Sequence, residues 1–307
     1  MRIFLTGAGG LVGRNILENL REDHEVFAPL RSELDLMDSN ATLGLIKSTK
    51  PDMVIHSAGL VGGIQANIRE PVRFLVENLQ LGLNVVQAAY EAGIPRLINL
   101  GSSCMYPRDA KNPLSEDSVL KGELEPTNEG YAIAKIATQR LCSYIGRENS
   151  EIKYSTIIPC NLYGRWDKFD PLHSHMIPAV IRKLHNAKTS GAKSVDIWGS
   201  GKARREFMYA GDLADFISYA VEHLEQMPEI LNVGLGLDYS IDEYYKAIAE
   251  VVGYDGTFVH DLTKPEGMNQ KLVDITKLTS FGWKSKTKLV EGLRLTYDFF
   301  LTQEFER

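Results

Sequence analysis

Tyr131 and Lys135, in the run Glu129-Gly130-Tyr131-Ala132-Ile133-Ala134-Lys135, follow Gly101-Ser102-Ser103-Cys104 in a chain that opens on a glycine turn. A Tyr and a Lys four apart on a helix share one face, so the ammonium is expected to lower the phenol's pKa and to help hold a cofactor ribose. The phenol then becomes a usable proton donor near neutral pH. Downstream of a dinucleotide-type glycine turn, this combination points to a nicotinamide-dependent oxidoreductase.

The turn itself, Thr6-Gly7-Ala8-Gly9-Gly10-Leu11-Val12-Gly13-Arg14, carries Gly-x-x-Gly-x-x-Gly between an apolar strand and a helix. Gly7, Gly10 and Gly13 permit a tight turn and close backbone approach, and the helix-opening amides around Leu11 and Val12 can meet a pyrophosphate. The second strand ends at Phe27-Ala28-Pro29-Leu30-Arg31-Ser32 with no acidic residue to read a ribose 2′-hydroxyl. Arg31 suits a 2′-phosphate, which favours NADPH over NADH, although a loop arginine is also ordinary surface charge. Asp35 or Asp38 is expected to bond the adenine amino group, and either could instead cap the helix starting near Ser39. His56-Ser57-Ala58-Gly59, at a strand end, is expected to line the pyrophosphate and ribose, with His56, Ala58 and Gly59 in contact.

Positioning such groups takes alternating strands and helices. Residues 2–6, 25–30 and 53–56 read as strands and 11–21 and 41–49 as helices; a helical pattern at 72–93 precedes a strand at 97–100, and the Tyr131 helix precedes a strand at 154–158. This predicts an α/β protein with a Rossmann-type doubly wound parallel sheet. Beyond about residue 165 the alternation is irregular, with helical patterns at 174–186, 211–226, 240–252 and 288–302, and a smaller mixed α/β substrate lobe is expected there. The division anticipated is a cofactor domain over 1–164, with segments near 205–237 returning to it, and a lobe mainly over 165–307. Leu231-Asn232-Val233-Gly234 reads as a returning strand.

Composition narrows the function classes. In 307 residues, 44% are hydrophobic and 24% charged, which excludes a mostly disordered chain, and the net charge of −6 provides no basic field for nucleic acid. Cys104, Cys142 and Cys160 are neither even in number nor spaced as metal ligands, and neither His-Glu-x-x-His nor Cys-x-x-Cys occurs, so no metal is predicted. A strand at the very start leaves no room for a signal peptide, and no apolar run reaches membrane-spanning length, so the expected compartment is the cytoplasm.

Across almost its whole length the chain resembles the extended short-chain dehydrogenase/reductases, and within them the GDP-L-fucose synthase family, whose members are GDP-4-keto-6-deoxymannose 3,5-epimerase-4-reductases. The most specific blocks are Leu60-Val61-Gly62-Gly63-Ile64-Gln65-Ala66-Asn67, Gly101 to Pro107, Glu125 to Lys135, Asn161-Leu162-Tyr163-Gly164, Ser174-His175-Met176-Ile177-Pro178-Ala179, Trp198-Gly199-Ser200-Gly201 and Arg205-Glu206-Phe207. The resemblance implies that Ser102 bonds the C4 carbonyl, Tyr131 protonates the developing alkoxide, and Lys135 orients ribose, with NADPH supplying hydride. It implies that Cys104 and His175 are the epimerase base and acid. Lys183, Arg205 and Lys271 fall at positions that hold the diphosphate or its neighbourhood, and Trp198 at one touching nucleotide or sugar. Leu36, Pro159, Asn161, Leu162 and His175 complete the expected cofactor set. A homodimer pairing the helices around 72–93 and 131–147 is the family's common assembly.

The chain departs from the family pattern at Gly130, at Arg165-Trp166, at Lys183 and in Glu266-Gly267-Met268-Asn269-Gln270-Lys271, where the family commonly has Pro, Pro, Arg and Asp-Gly-Thr-x-Arg-Lys. These changes are expected around the sugar and phosphate pocket. The reading is an NADPH-dependent C4 reductase of a GDP-4-keto-6-deoxy sugar that also epimerises beside the ketone, with GDP-L-fucose as the default product. Its competitors are a GDP-L-colitose-type synthase acting on a 3,6-dideoxy sugar, a GDP-6-deoxy-heptose C4 reductase without epimerisation, and a non-catalytic NADP-binding sensor.

Overall fold

The computed structural model describes residues 1–170, 174–264 and 268–303. In chain order its first half holds β1 (Arg2–Thr6), α1 (Leu11–Leu20), β2 (Glu25–Phe27), α2 (Ser39–Thr49), β3 (Met53–His56), α3 (Ile64–Arg69), α4 (Pro71–Glu91), β4 (Arg96–Leu100), α5 (Glu129–Glu148) and β5 (Lys153–Pro159). Then follow β6 (Asn161–Tyr163), α6 (Met176–Ser190), β7 (Ser194–Trp198), β8 (Arg204–Arg205), β9 (Phe207–Tyr209), α7 (Ala210–Glu222) and β10 (Ile230–Val233). The remainder is β11 (Tyr239–Ser240), α8 (Ile241–Val252), β12 (Thr257–Asp261), β13 (Gln270–Lys271), α9 (Thr276–Phe281) and α10 (Leu289–Leu301).

Six parallel strands form one sheet in the order β10-β5-β4-β3-β1-β2. Successive strand residues face opposite ways. Ile3 and Leu5 therefore enter a core with Ile16, Phe216 and Ile217 of α1 and α7, whereas Phe4 enters another with Ile46, Val85 and Ile145 of α2, α4 and α5. Helices on both faces explain why β1, β3 and β4 are nearly continuous apolar runs rather than alternating ones. Helix starts follow local chemistry: Asp38 caps α2 through Ala41 N at 2.9 Å, Pro71 opens α4, and Ser240 and Glu243 form a capping box on α8. Asp35 instead closes a turn onto Met37 N, so the capping role falls to Asp38.

The strand order reverses between β1 and β3, where a crevice opens outside the carboxyl ends of the strands. The glycine turn, His56–Gly59, Gly101–Cys104 and Pro159–Asn161 all leave the sheet at that edge. A second core, built from α6, α8 and α10 with residues of β7 and β9, carries the smaller sheets β7–β12 and β11-β8-β13. Among the described residues no helix is long and apolar enough to cross a membrane.

Candidate active site

The glycine turn closes tightly. Gly10 N donates to Gly7 O at 3.0 Å, and Gly7 holds φ +76°, where a side chain would be strained and a Cβ would press on the Ala58 backbone. Gly13 brings α1 against Gly7 itself, since a Cβ there would overlap Gly7 O. The helix begins at Gly10 without a side-chain cap, so the Leu11 and Val12 amides face the crevice edge with no competing acceptor from a capping side chain. Thr6 Oγ1 ties the neighbouring strand end together, lying 2.9 Å from His56 Nδ1 and accepting from Ala58 N at 3.3 Å. Burial, with Lys135 adding a smaller push, takes the His56 pKa down to about 3, so His56 is a neutral structural partner there. Arg31 is exposed and forms no ion pair among the described residues, and Asn84 of α4 fixes the following loop by donating to Leu36 O at 2.8 Å and Met37 O at 3.1 Å. Turn, uncapped helix and exposed arginine fit a phosphorylated dinucleotide.

Lys135 is 6% exposed. Its ammonium donates to Leu100 O at 3.0 Å, packs against Gly59, and lies 5.9 Å from the Tyr131 ring centre. Burial lowers its pKa to about 8, which leaves it mostly protonated at neutral pH. The expected drop in the Tyr131 phenol's pKa does not occur: burial raises it, the neighbouring Cys104 raises it further, and a hydrogen bond with Ser102 only partly opposes them. Removal from water is the largest influence on the phenol, and the ammonium, 5.9 Å from the ring centre, does not offset it. The phenol is thus a firmly protonated donor.

Ser102 starts a short 3₁₀ turn, Ser103–Met105, and its hydroxyl accepts from Cys104 N at 3.3 Å. A buried network anchors this turn: Tyr106 donates to Asn232 Oδ1 at 2.6 Å, and the Asn232 amide donates to Leu114 O and Asp274 O at 2.8 and 3.0 Å. The Cys104 sulfur accepts from Asn128 Nδ2 at 3.2 Å and from Lys271 Nζ at 3.6 Å. Arg205 and Lys271 are register partners in parallel strands β8 and β13, so these two cations project from the same face. Like charges set side by side are unfavourable unless an anion lies between them. Glu206, which follows Arg205, is fully buried and ties β8 to the loop after β10 and to the residue two beyond Lys271, accepting from Leu235 N, Gly236 N and Val273 N at 2.5 to 2.9 Å, with its pKa raised by burial to about 7.

Other expected residues lie elsewhere or are engaged. His175 forms the N-terminal boundary of α6, beside Ser174, whose carbonyl faces Gly63, and burial with help from Lys168 lowers its pKa. Asn161 donates to Glu206 O at 2.8 Å, Leu162 packs on the main core, and Pro159 pairs with Val233 of β10. Lys183 is bound to Asp196, at 2.8 Å from the carboxylate and 2.6 Å from the carbonyl. Trp198 is 53% exposed at the end of β7, with Lys264 5.5 Å from its ring centre.

Two of the departures from the family pattern are fixed by packing. Gly130 lies against Pro71 and Leu75, where a Cβ would crowd the first turn of α4. Arg165 pairs with Glu18 of α1 at 2.6 Å; Trp166 donates to the same carboxylate at 3.0 Å, sits under Arg14, and meets Phe299 of α10 edge-on. A long-range salt bridge and an aromatic contact place these residues between α1 and α10. Glu266 and Gly267 lie outside the described residues.

Sequence reasoning missed Asn78, Asn84 and Asn128. Asn78 uses both ends of its amide to hold Leu60, through N at 2.8 Å and O at 3.1 Å, fixing the loop after Gly59. A signal existed for the first two: asparagines at buried positions in the apolar face of α4 need partners. Asn128 stands at the α5 boundary and reads as an ordinary cap, yet its amide caps nothing and leaves its own oxygen buried without a partner.

Residues 3–234 match the family described as NAD dependent epimerase/dehydratase. The chain is 55% identical over 305 residues to the GDP-L-colitose synthase of Yersinia pseudotuberculosis, covering 99% of each. It is 46% identical over 302 residues to the GDP-L-fucose synthase of Azorhizobium caulinodans, covering 98% of this chain and 96% of that one. A solved GDP-mannoheptose C4 reductase from Campylobacter jejuni, with NADP bound, is similar at 31% identity with a TM-score of 0.89, covering 98% of each chain.

Proposed function

The chain belongs to the NAD-dependent epimerase/dehydratase family, and on that premise we propose that it is an NADPH-dependent C4 reductase of a GDP-4-keto-6-deoxy sugar that also epimerises beside the ketone. The observation that carries the reading is the meeting of two chemistries at one centre: Ser102 accepts from Cys104 N at 3.3 Å within one short turn, the Cys104 sulfur lies 3.6 Å from Lys271 Nζ, and Lys135, four residues from Tyr131 on α5, is buried against Leu100 O beside that turn.

NADPH, when bound, supplies hydride to C4. Tyr131, kept protonated by burial, gives its proton to the C4 oxygen as negative charge develops there. Ser102 steadies the same oxygen, and Lys135, fixed by Leu100 O and Gly59, holds the ribose and the phenol's surroundings in place. Cys104 removes a proton from the carbon beside the ketone, where the carbonyl stabilises the carbanion as an enolate; His175 returns one on the opposite face. Arg205 and Lys271 neutralise the diphosphate, which accounts for two cations on adjacent strands. Lys183 serves this role only by exchanging Asp196 for phosphate.

The 55% identity to the Yersinia relative favours a 3,6-dideoxy ketone over the 6-deoxymannose ketone. The two differ in what epimerisation means, because a dideoxy C3 bears two hydrogens and only C5 can change configuration. Incubation with NADPH and each GDP-4-keto sugar in deuterated water, followed by product NMR, reports substrate, reduction and every exchanged carbon. Reduction of none of the panel would overturn the proposal; reduction without deuterium on carbon would reduce it to a C4 reductase. We further propose a cytoplasmic homodimer joined through α4 and α5, where Val72, Val76, Ile133 and Tyr144 are exposed at 73, 48, 42 and 53%.

A further inference from the structure

We propose that Asn128 is a positioning residue for Cys104, donating to the sulfur and orienting it together with Lys271; the proposal rests on the reading of Cys104 as the proton-abstracting base. Asn128 occupies the boundary position of α5, where an asparagine side chain ordinarily accepts from the first helical amides. Here it makes no such bond. Its Nδ2 instead donates to Cys104 Sγ at 3.2 Å, and its Oδ1 remains buried with no acceptor role. A helix that forgoes its cap and strands a carbonyl oxygen has placed an N–H where a negative sulfur needs one.

The backbone of the same residue still opens the helix, accepting from Ala132 N at 3.1 Å, so the thiol and Tyr131 are registered to each other through one turn of α5. The ionisable groups facing the sulfur are Lys271 from β13 and Tyr131 from α5. Lys271 carries a full charge but must also serve the diphosphate. The Asn128 side-chain amide is neutral and bonds no other group among the described residues.

The test is alkylation of the full-length, ligand-free enzyme by iodoacetamide between about pH 6 and about pH 10, with the Cys104 peptide followed by mass spectrometry. Cys142 and Cys160 are buried, so Cys104 is the thiol the reagent reaches. In Asn128→Asp, whose carboxylate is itself a strong helix cap and preserves the start of α5, the rate near neutral pH is expected to fall about tenfold. It should converge with the unmodified enzyme at the alkaline end, where the thiol is ionised in both. Asn128→Ala should show the same convergence with a smaller drop. Profiles that overlay the unmodified enzyme, or that lie lower by one factor at every pH as a change in access would produce, overturn the proposal. No substrate enters this measurement. Should the unmodified enzyme put no deuterium on the sugar, the epimerase reading fails while the alkylation profile still decides whether Asn128 holds the thiol.

Discussion

Replacing Lys135 by Met should separate what this residue does for chemistry from what it does to stability. The side chain is 6% exposed, and burial brings its pKa from 10.5 to about 8. At roughly 1.4 kcal/mol per pH unit, the folded protein carries about 3 kcal/mol of penalty for keeping the ammonium out of water. The penalty is full below about pH 8, where both folded and unfolded chains hold the proton. Between about 8 and 10.5 the unfolded chain binds more protons than the folded one, so stability rises with pH until the penalty is gone. Met has similar length and no charge. Against its gain stands Leu100 O, which loses its donor at a cost of about 1–3 kcal/mol. Near neutral pH the variant is therefore expected to be as stable as the unmodified protein or up to about 2 kcal/mol more stable, while losing NADPH affinity and turnover. Urea unfolding of both proteins without cofactor, at several values from about pH 7 to about pH 10.5, isolates the effect, because other titrating groups cancel in the difference. The variant's relative stability should decline by about 3 kcal/mol over that span. A difference that stays constant with pH would refute the argument that Lys135 is held charged against burial.

Tyr131→Phe should retain NADPH binding, measured by fluorescence titration, while single-turnover reduction falls at least about a hundredfold, since only the proton donor is lost. Arg31→Ala should narrow the preference for NADPH over NADH by about 1.5–3 kcal/mol, read as the ratio of the two dissociation constants; equal affinities in the unmodified enzyme would remove the basis for the role. Cys104→Ser should suppress deuterium incorporation beside the ketone yet still reduce the unepimerised ketone, because a hydroxyl keeps the shape but is a far poorer base.

Local spacing made much of this molecule legible. The glycine turn and the Tyr131–Lys135 pair are set by residues three or four apart, and the apolar runs at 2–6, 53–56 and 97–100 fall within strands of a doubly wound sheet. What stayed hidden depends on separations no local pattern encodes. Lys271 reaches Cys104 across 167 positions, and Arg165 reaches Glu18 across 147. The pairing of Lys183 with Asp196 follows from a helix packing on a strand 13 residues later. For Tyr131 the sequence shows the charge four residues away but not the burial, and burial is the larger influence on the phenol.

The pairing of β10 with β5 has a consequence for how the chain is made. As synthesis proceeds from the N-terminus, β5 remains an open sheet edge until Val233 has emerged, and the segment that waits, Lys153-Tyr154-Ser155-Thr156-Ile157-Ile158-Pro159, bears no charge after its first residue. Such an edge is a template for pairing with another copy. The nascent chain must therefore pass through a stage in which five strands of the sheet are made and adhesive while the sixth has yet to emerge. Closure comes from Asn232, whose side chain also anchors the turn bearing Ser102 and Cys104 through Tyr106, so the strand that ends the aggregation hazard also completes the support of the reaction centre. A fragment ending near residue 164 would keep the glycine turn and the Tyr131 helix yet leave this edge bare, and expression trials should find it in inclusion bodies rather than as a free-standing cofactor domain.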